Sequence, residues 1–147
     1  MLSLRVMMFT AVITAAAWAP VRIHAESGVQ AHATLLPLSD QDEQSTQETG
    51  CTSTFTHGTH DYLQLIDTEL LFRDRHGLHA CRLTRAATEA LETGRGNVSC
   101  AGYWLGIRSS GKATSNLASD SSSRRAILTI DRGGAANSMR GIWGVAC

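Results

Sequence analysis

Four cysteines, Cys51, Cys81, Cys100 and Cys147, in a chain of 147 residues constrain the fold more than any other feature. Their use depends on where the chain is sent. It opens with "MLSLRVMMFTAVITAAAWAPVRIHA", in which Arg5 precedes an apolar run from Val6 to Trp18 and Ala25 closes a small-residue cleavage site. This pattern reads as a secretory signal peptide over residues 1–25 and points to a secreted or periplasmic product. The run is too short for a hydrocarbon core that takes roughly 20 residues to cross, and no later stretch approaches that length, so no membrane span is expected. With no cysteine beside the cleavage point as a lipid acceptor, the expected product is free and soluble.

An even number of cysteines in a short exported chain favours two disulfides over free thiols, and no pair has the C-x-x-C spacing of a metal knuckle. Four cysteines allow three pairings. Cys81 with Cys100 and Cys51 with Cys147 is the preferred set, since the first clamps an intervening helix between strands and the second ties the domain's ends together. Cys51 with Cys81 and Cys100 with Cys147 is the alternative.

Charge divides the chain after the cleavage site. Residues 26–50 hold five acids (Glu26, Asp40, Asp42, Glu43, Glu48) and no Lys or Arg, in a polar run "SDQDEQSTQETG" that predicts a flexible acidic leader. Residues 51–147 are expected to form the disulfide-stapled domain. Its basic residues gather late, at Arg95, Arg108, Lys112, Arg124, Arg125, Arg132 and Arg140, against Asp120 and Asp131. Such a mild basic face lacks the dense, aromatic-interleaved cluster of a nucleic-acid site, so no nucleic acid is expected as partner.

Short apolar alternations broken by turn residues predict a mostly β domain, a small antiparallel barrel or sandwich with one short helix. Strands are expected at 61–66, 69–74, 78–83, 97–107, 125–130 and 140–147, with tight reversals at "DRHG" (Asp74 to Gly77) and "DRGG" (Asp131 to Gly134). "TRAATEALETG", Thr84 to Gly94, has helix formers, a cap in Thr84 and a glycine stop. "SSGKATSNLASDSSS", Ser109 to Ser123, reads as a long exposed loop. Leu63, Leu65, Leu83, Trp104, Ile127 and Trp143 are the expected core.

"FTHGTH" and "DRHGLH" share a His-Gly-x-His spacing, placing His57, His60, His76 and His79 near predicted reversals. Residues three apart on a strand face opposite ways, so only a bulge or turn at Gly58 and Gly77 lets either pair address one ion. An up-down-up course for the first strands nonetheless brings both pairs to one end of the sheet. Imidazoles there suit Zn or Cu, with Asp61 or Asp74 assisting; the plainer reading makes them turn and surface residues. Other chemistry is absent from the sequence: Ser99 lies outside a nucleophile elbow, there is no Gly-rich phosphate loop, and no nucleophile can be matched to a histidine.

The chain is therefore expected to be a non-enzymatic binding protein, of the inhibitor, immunity or adhesion kind, needing no cofactor. Its partner would be a protein or glycan of the envelope or extracellular space, met through Tyr103, Arg108, Lys112, Arg124 and Arg125, with Trp104 beside them. The alternative is an exported metal-binding protein using the four histidines.

Overall fold

The computed structural model describes residues 34–147; the expected signal peptide and the start of the leader lie outside them. Eight strands follow one another, β1 Thr52–His57, β2 His60–Ile66, β3 Glu69–Asp74, β4 Gly77–Arg82, β5 Arg95–Cys100, β6 Tyr103–Asn116, β7 Ser121–Arg132 and β8 Ala135–Ala146. A four-residue helix α1 (Asp40–Glu43) precedes them, and α2 (Arg85–Glu92) joins β4 to β5. All ladders are antiparallel. The sheet order is β4-β3-β2-β1-β8-β7-β6-β5, so the first strand pairs with the last and the sheet curls into a nearly closed barrel.

Its seam lies in mid-sequence. No ladder joins β4 to β5. Cys81 and Cys100 bridge these two strands instead, with Cα atoms 5.9 Å apart. The second disulfide, Cys51–Cys147, sits where β1 and β8 already pair at Thr52 and Ala146. Both bonds are the preferred pairing. The helix starts at the predicted cap, where the Thr84 hydroxyl accepts from Ala87 N, and buries Leu91 and Thr88 against the barrel. Gly96 on β5 permits this approach, because a Cβ there would lie 2.7 Å from Leu91 N.

Inward positions alternate along each strand and fill the barrel with Phe55, Leu63, Leu65, Leu70, Phe72, Val98, Leu105, Ile107, Leu128, Ile130 and Trp143. Leu63, Leu65 and Trp143 were expected there. Trp104 and Ile127 were too, but both face outward, and Leu83 is only partly buried. The cause is a missed reversal. The predicted strand 97–107 is two strands, folded at Ala101 and Gly102, whose φ values of 51° and 79° make a hairpin turn. That turn inverts the parity, so Val98 and Cys100 face in before it and Tyr103, Leu105 and Ile107 after it.

Three further expectations are corrected. Thr52–His57 is a full strand, where the sequence marked only the start of the domain. Ser109–Ser123 is not a loop but the paired ends of β6 and β7, closed by a short turn near Asp120. Finally, the leader is not flexible throughout. The β2–β3 ladder stops at Leu63 and Phe72, and beyond it Leu36 N donates to Arg73 O and Leu38 N to Asp61 O, at 2.8 and 2.7 Å. This segment fills the gap and buries Leu35 and Leu38. Ser39 and Asp42 then form a capping box on α1, and Arg73 clasps both carboxylate oxygens of Asp42. The guanidinium holds that carboxyl well below the usual range. Leu35→Ala is expected to lower unfolding free energy by about 2 kcal/mol, the lower end of core truncations. Unchanged denaturant midpoints would show that the segment does not belong to the folded unit.

Candidate functional site

An up-and-down course puts the β1–β2, β3–β4, β5–β6 and β7–β8 turns at the same barrel end. There the inward-facing Asp74, at the end of β3, is 1% exposed. Its carboxylate accepts from Tyr103 Oη at 2.6 Å, from His76 N at 2.7 Å and from Arg132 Nη1 at 3.3 Å. Arg132 also donates to the Tyr103 hydroxyl at 3.0 Å and lies over its ring. His79 stacks on Phe72, and its Nε2 comes within 2.9 Å of Asp74 Oδ1 without hydrogen-bond alignment. Burial pushes the Asp74 carboxyl up, but Tyr103, His79 and the His76 amide outweigh it and hold the group far below the usual carboxylate range. Burial and then the Asp74 charge raise the Tyr103 phenol. The Tyr103, His76 and Arg132 donors converge on Asp74, so the cluster plugs the barrel end.

The four histidines share that end, as the strand course predicted, but do not converge. His57 and His60 face each other across the first hairpin, both exposed, with His57 Nδ1 held 2.7 Å from Arg140 O. His76 lies against Arg75, and His79 is occupied with Asp74. Among the described residues no three His, Cys, Asp or Glu side chains are close enough to hold a metal ion.

The predicted binding residues are also sorted by parity. Tyr103 faces inward and is 3% exposed, which removes it from any contact surface. Arg124 sits opposite inward-facing Trp143 and donates to Thr93 O, at the end of α2. Arg108 and Arg125 face outward, and Lys112 rides on a bulge where β6 has two more residues than β7, with Gly111 at φ 77°.

These three belong to a wider basic wall. Direct cross-strand partners set Arg95 against Arg108, Arg108 against Ile127 and Ile127 against Arg140, making one row over β5, β6, β7 and β8. The next row runs from Ser110 through Arg125 to Ile142. Strands about 4.8 Å apart make these close neighbours. Arg95, Arg108, Arg125, Arg140 and Lys112 form no ion pair among the described residues. The acids of residues 95–147 are Asp120, in the β6–β7 turn, and Asp131, which accepts from Gly134 N. Like charges directly opposite one another destabilise a sheet, so Arg95 against Arg108 is a local liability in the unbound protein.

Open hollows follow the same wall. One of about 470 Å³ is lined by Arg95, Asn97, Ile107, Arg108 and Ser109. A second, of about 380 Å³, includes Lys112, Arg125 and Ile142. Arg95, Arg140 and Ile142 could have been assigned from period-two alternation once the turn at Ala101–Gly102 was placed. Compared with protein-family models, curated proteins and solved structures, the chain shows no significant match.

Proposed function

We propose that this protein is a non-enzymatic binding module of an oxidising, exported compartment, and that its contact face is the outer wall of β5 to β8. The observation that carries this reading is the row of unpaired guanidinium groups at Arg95, Arg108 and Arg140, interrupted by half-exposed Ile127. A partner bearing acidic groups relieves the repulsion along the row and gains charge-assisted hydrogen bonds. The exposed apolar side chains of Trp104 and Ile142, 43% exposed each, flank that row on the same face and add buried area. Two disulfides fit a product that meets its partner outside the reducing cytosol.

Site-specific photo-cross-linking in the native cells tests the reading. A benzoylphenylalanine in place of Ile127 is expected to give a discrete high-mass adduct, and one in place of exposed Ala80, on β4 outside the wall, is not. Equal adducts from both positions, or none from Ile127, would remove the wall as a binding face.

A further inference from the structure

We infer that the occupant of this wall is an acidic polysaccharide, seated with a sugar ring on Trp104; the inference rests on the wall being the binding face. It starts from Gly106. This residue faces outward between Trp104 and Arg108 on β6, and a Cβ there would lie 3.2 and 3.3 Å from Trp104 Cζ3 and Cη2. The six-membered ring of the indole therefore leans along the strand over Gly106. Asn97 stands opposite Gly106 on β5, with its Oδ1 3.7 Å from the same point.

The flat indole, the Asn97 amide and the two guanidinium groups of Arg95 and Arg108 thus occupy neighbouring positions on two strands. Each matches a different part of one ligand. The C–H face of a pyranose is apolar and flat and packs on an indole face. Its hydroxyls exchange hydrogen bonds with a primary amide, which both donates and accepts. A carboxylate on the ring takes the planar fork of a guanidinium. An acidic protein segment would use the arginines but has no need of an aromatic leaning along the sheet beside them. A protein anchor instead projects its tryptophan into a partner's pocket.

The wall is also long enough for a polymer. Past Lys112 and Arg125 it continues into a third hollow, of about 320 Å³, whose lining includes Thr52, Thr54, Thr114, Ser123 and Gly144. The hydroxyls there continue the polar face without adding charge. From the Arg95–Arg108 row onward to Thr54 the cross-strand rows hold no acidic side chain; the acid on this wall is Asp131, the partner of Trp104 on β7, which accepts from Gly134 N.

Binding of the oxidised protein to immobilised polygalacturonate, dextran and poly-L-glutamate tests the inference. Polygalacturonate is expected to bind, dextran and poly-L-glutamate much less. Trp104→Ala and the double change Arg95→Gln, Arg108→Gln should each weaken binding by about tenfold or more, as loss of an aromatic or arginine anchor does. Gly106→Ala leaves every ligand-facing group in place but raises the indole, and should give a smaller loss. Because these side chains are exposed, the variants should keep the far-ultraviolet spectrum and melting temperature of the parent.

Failure of polygalacturonate to bind overturns the inference. So does equal or tighter binding of poly-L-glutamate with no effect of Trp104→Ala, which would make the wall a site for an acidic protein. Dextran binding as well as polygalacturonate would overturn the role of charge. A protein adduct from Ile127 combined with no polygalacturonate binding would leave the wall as the contact face and remove only the glycan.

Discussion

Loss of the Cys81–Cys100 bond through a double change to alanine is expected to lower stability by about 3 kcal/mol and to raise amide exchange selectively in β4, α2 and the start of β5. The first figure follows from a 19-residue separation in the chain-entropy account of disulfides. The pattern follows from topology, since no ladder replaces the bond at the seam. By the same account, removing Cys51–Cys147, with a separation of 96, costs about 4.7 kcal/mol. Yet that loss should be spread over the whole barrel, because β1 and β8 remain paired from Thr52 to Thr56. The stronger bond by entropy is thus the less important one for closure. Hydrogen exchange with mass detection on the two double variants decides this, and matching exchange maps would refute the assignment of the seam.

Asp74→Ala should lower stability by about 3 kcal/mol. Arg132 contributes little to that figure, because its side chain is 44% exposed and water can take over its solvation. The loss comes from the buried Tyr103 hydroxyl and the His76 amide, two donors left without an acceptor at about 1–3 kcal/mol each. Asp74→Asn keeps one acceptor oxygen and should fall less, which makes it the better probe of charge. The Asp74 carboxyl is depressed in the folded state, so its contribution is present above the unfolded value near 3.9 and is lost as pH falls through and below it. Asp42 has the same sign. Parent and Asp74→Asn unfolding curves should therefore run parallel above about pH 5 and converge below about pH 4. A constant gap down to pH 2 would show that the charge contributes nothing.

Legibility in the sequence followed how strongly each residue was tied to one local cause. Thr84 and Gly94 bracketed the helix because a hydroxyl cap and a glycine stop act within one turn, and Asp74 and Gly77 marked their hairpin for the same reason. The disulfide pairing was also legible, since only one set placed a clamp across the helix and another across the ends. Ser109 to Ser123 misled because its serines and threonines, mostly exposed, carry no apolar alternation; β8 and the bulge at Gly111 impose its strand geometry from outside. Of the predicted site, Arg108, Arg125 and Lys112 lie on the wall, while Tyr103 moved inside through a single unrecognised turn at Ala101 and Gly102. One misplaced reversal exchanged the burial of Tyr103 and Trp104. The packing of Leu35 and Leu38 escaped notice because it depends on a gap between β2 and β3 that no local pattern announces.

The pairing of β1 with β8 has a kinetic side. Strands β1 to β4 and β5 to β8 are meanders whose partners lie a few residues apart, and each can zip up as soon as it is made. The contact between Thr52 and Ala146 spans nearly the whole domain and must wait for the last residues to emerge. Until then the edge of β1 is bare and open to neighbouring chains. The slow step of maturation is accordingly the docking of β8 on β1, without which only the Cys81–Cys100 bond and α2 link the two half-sheets.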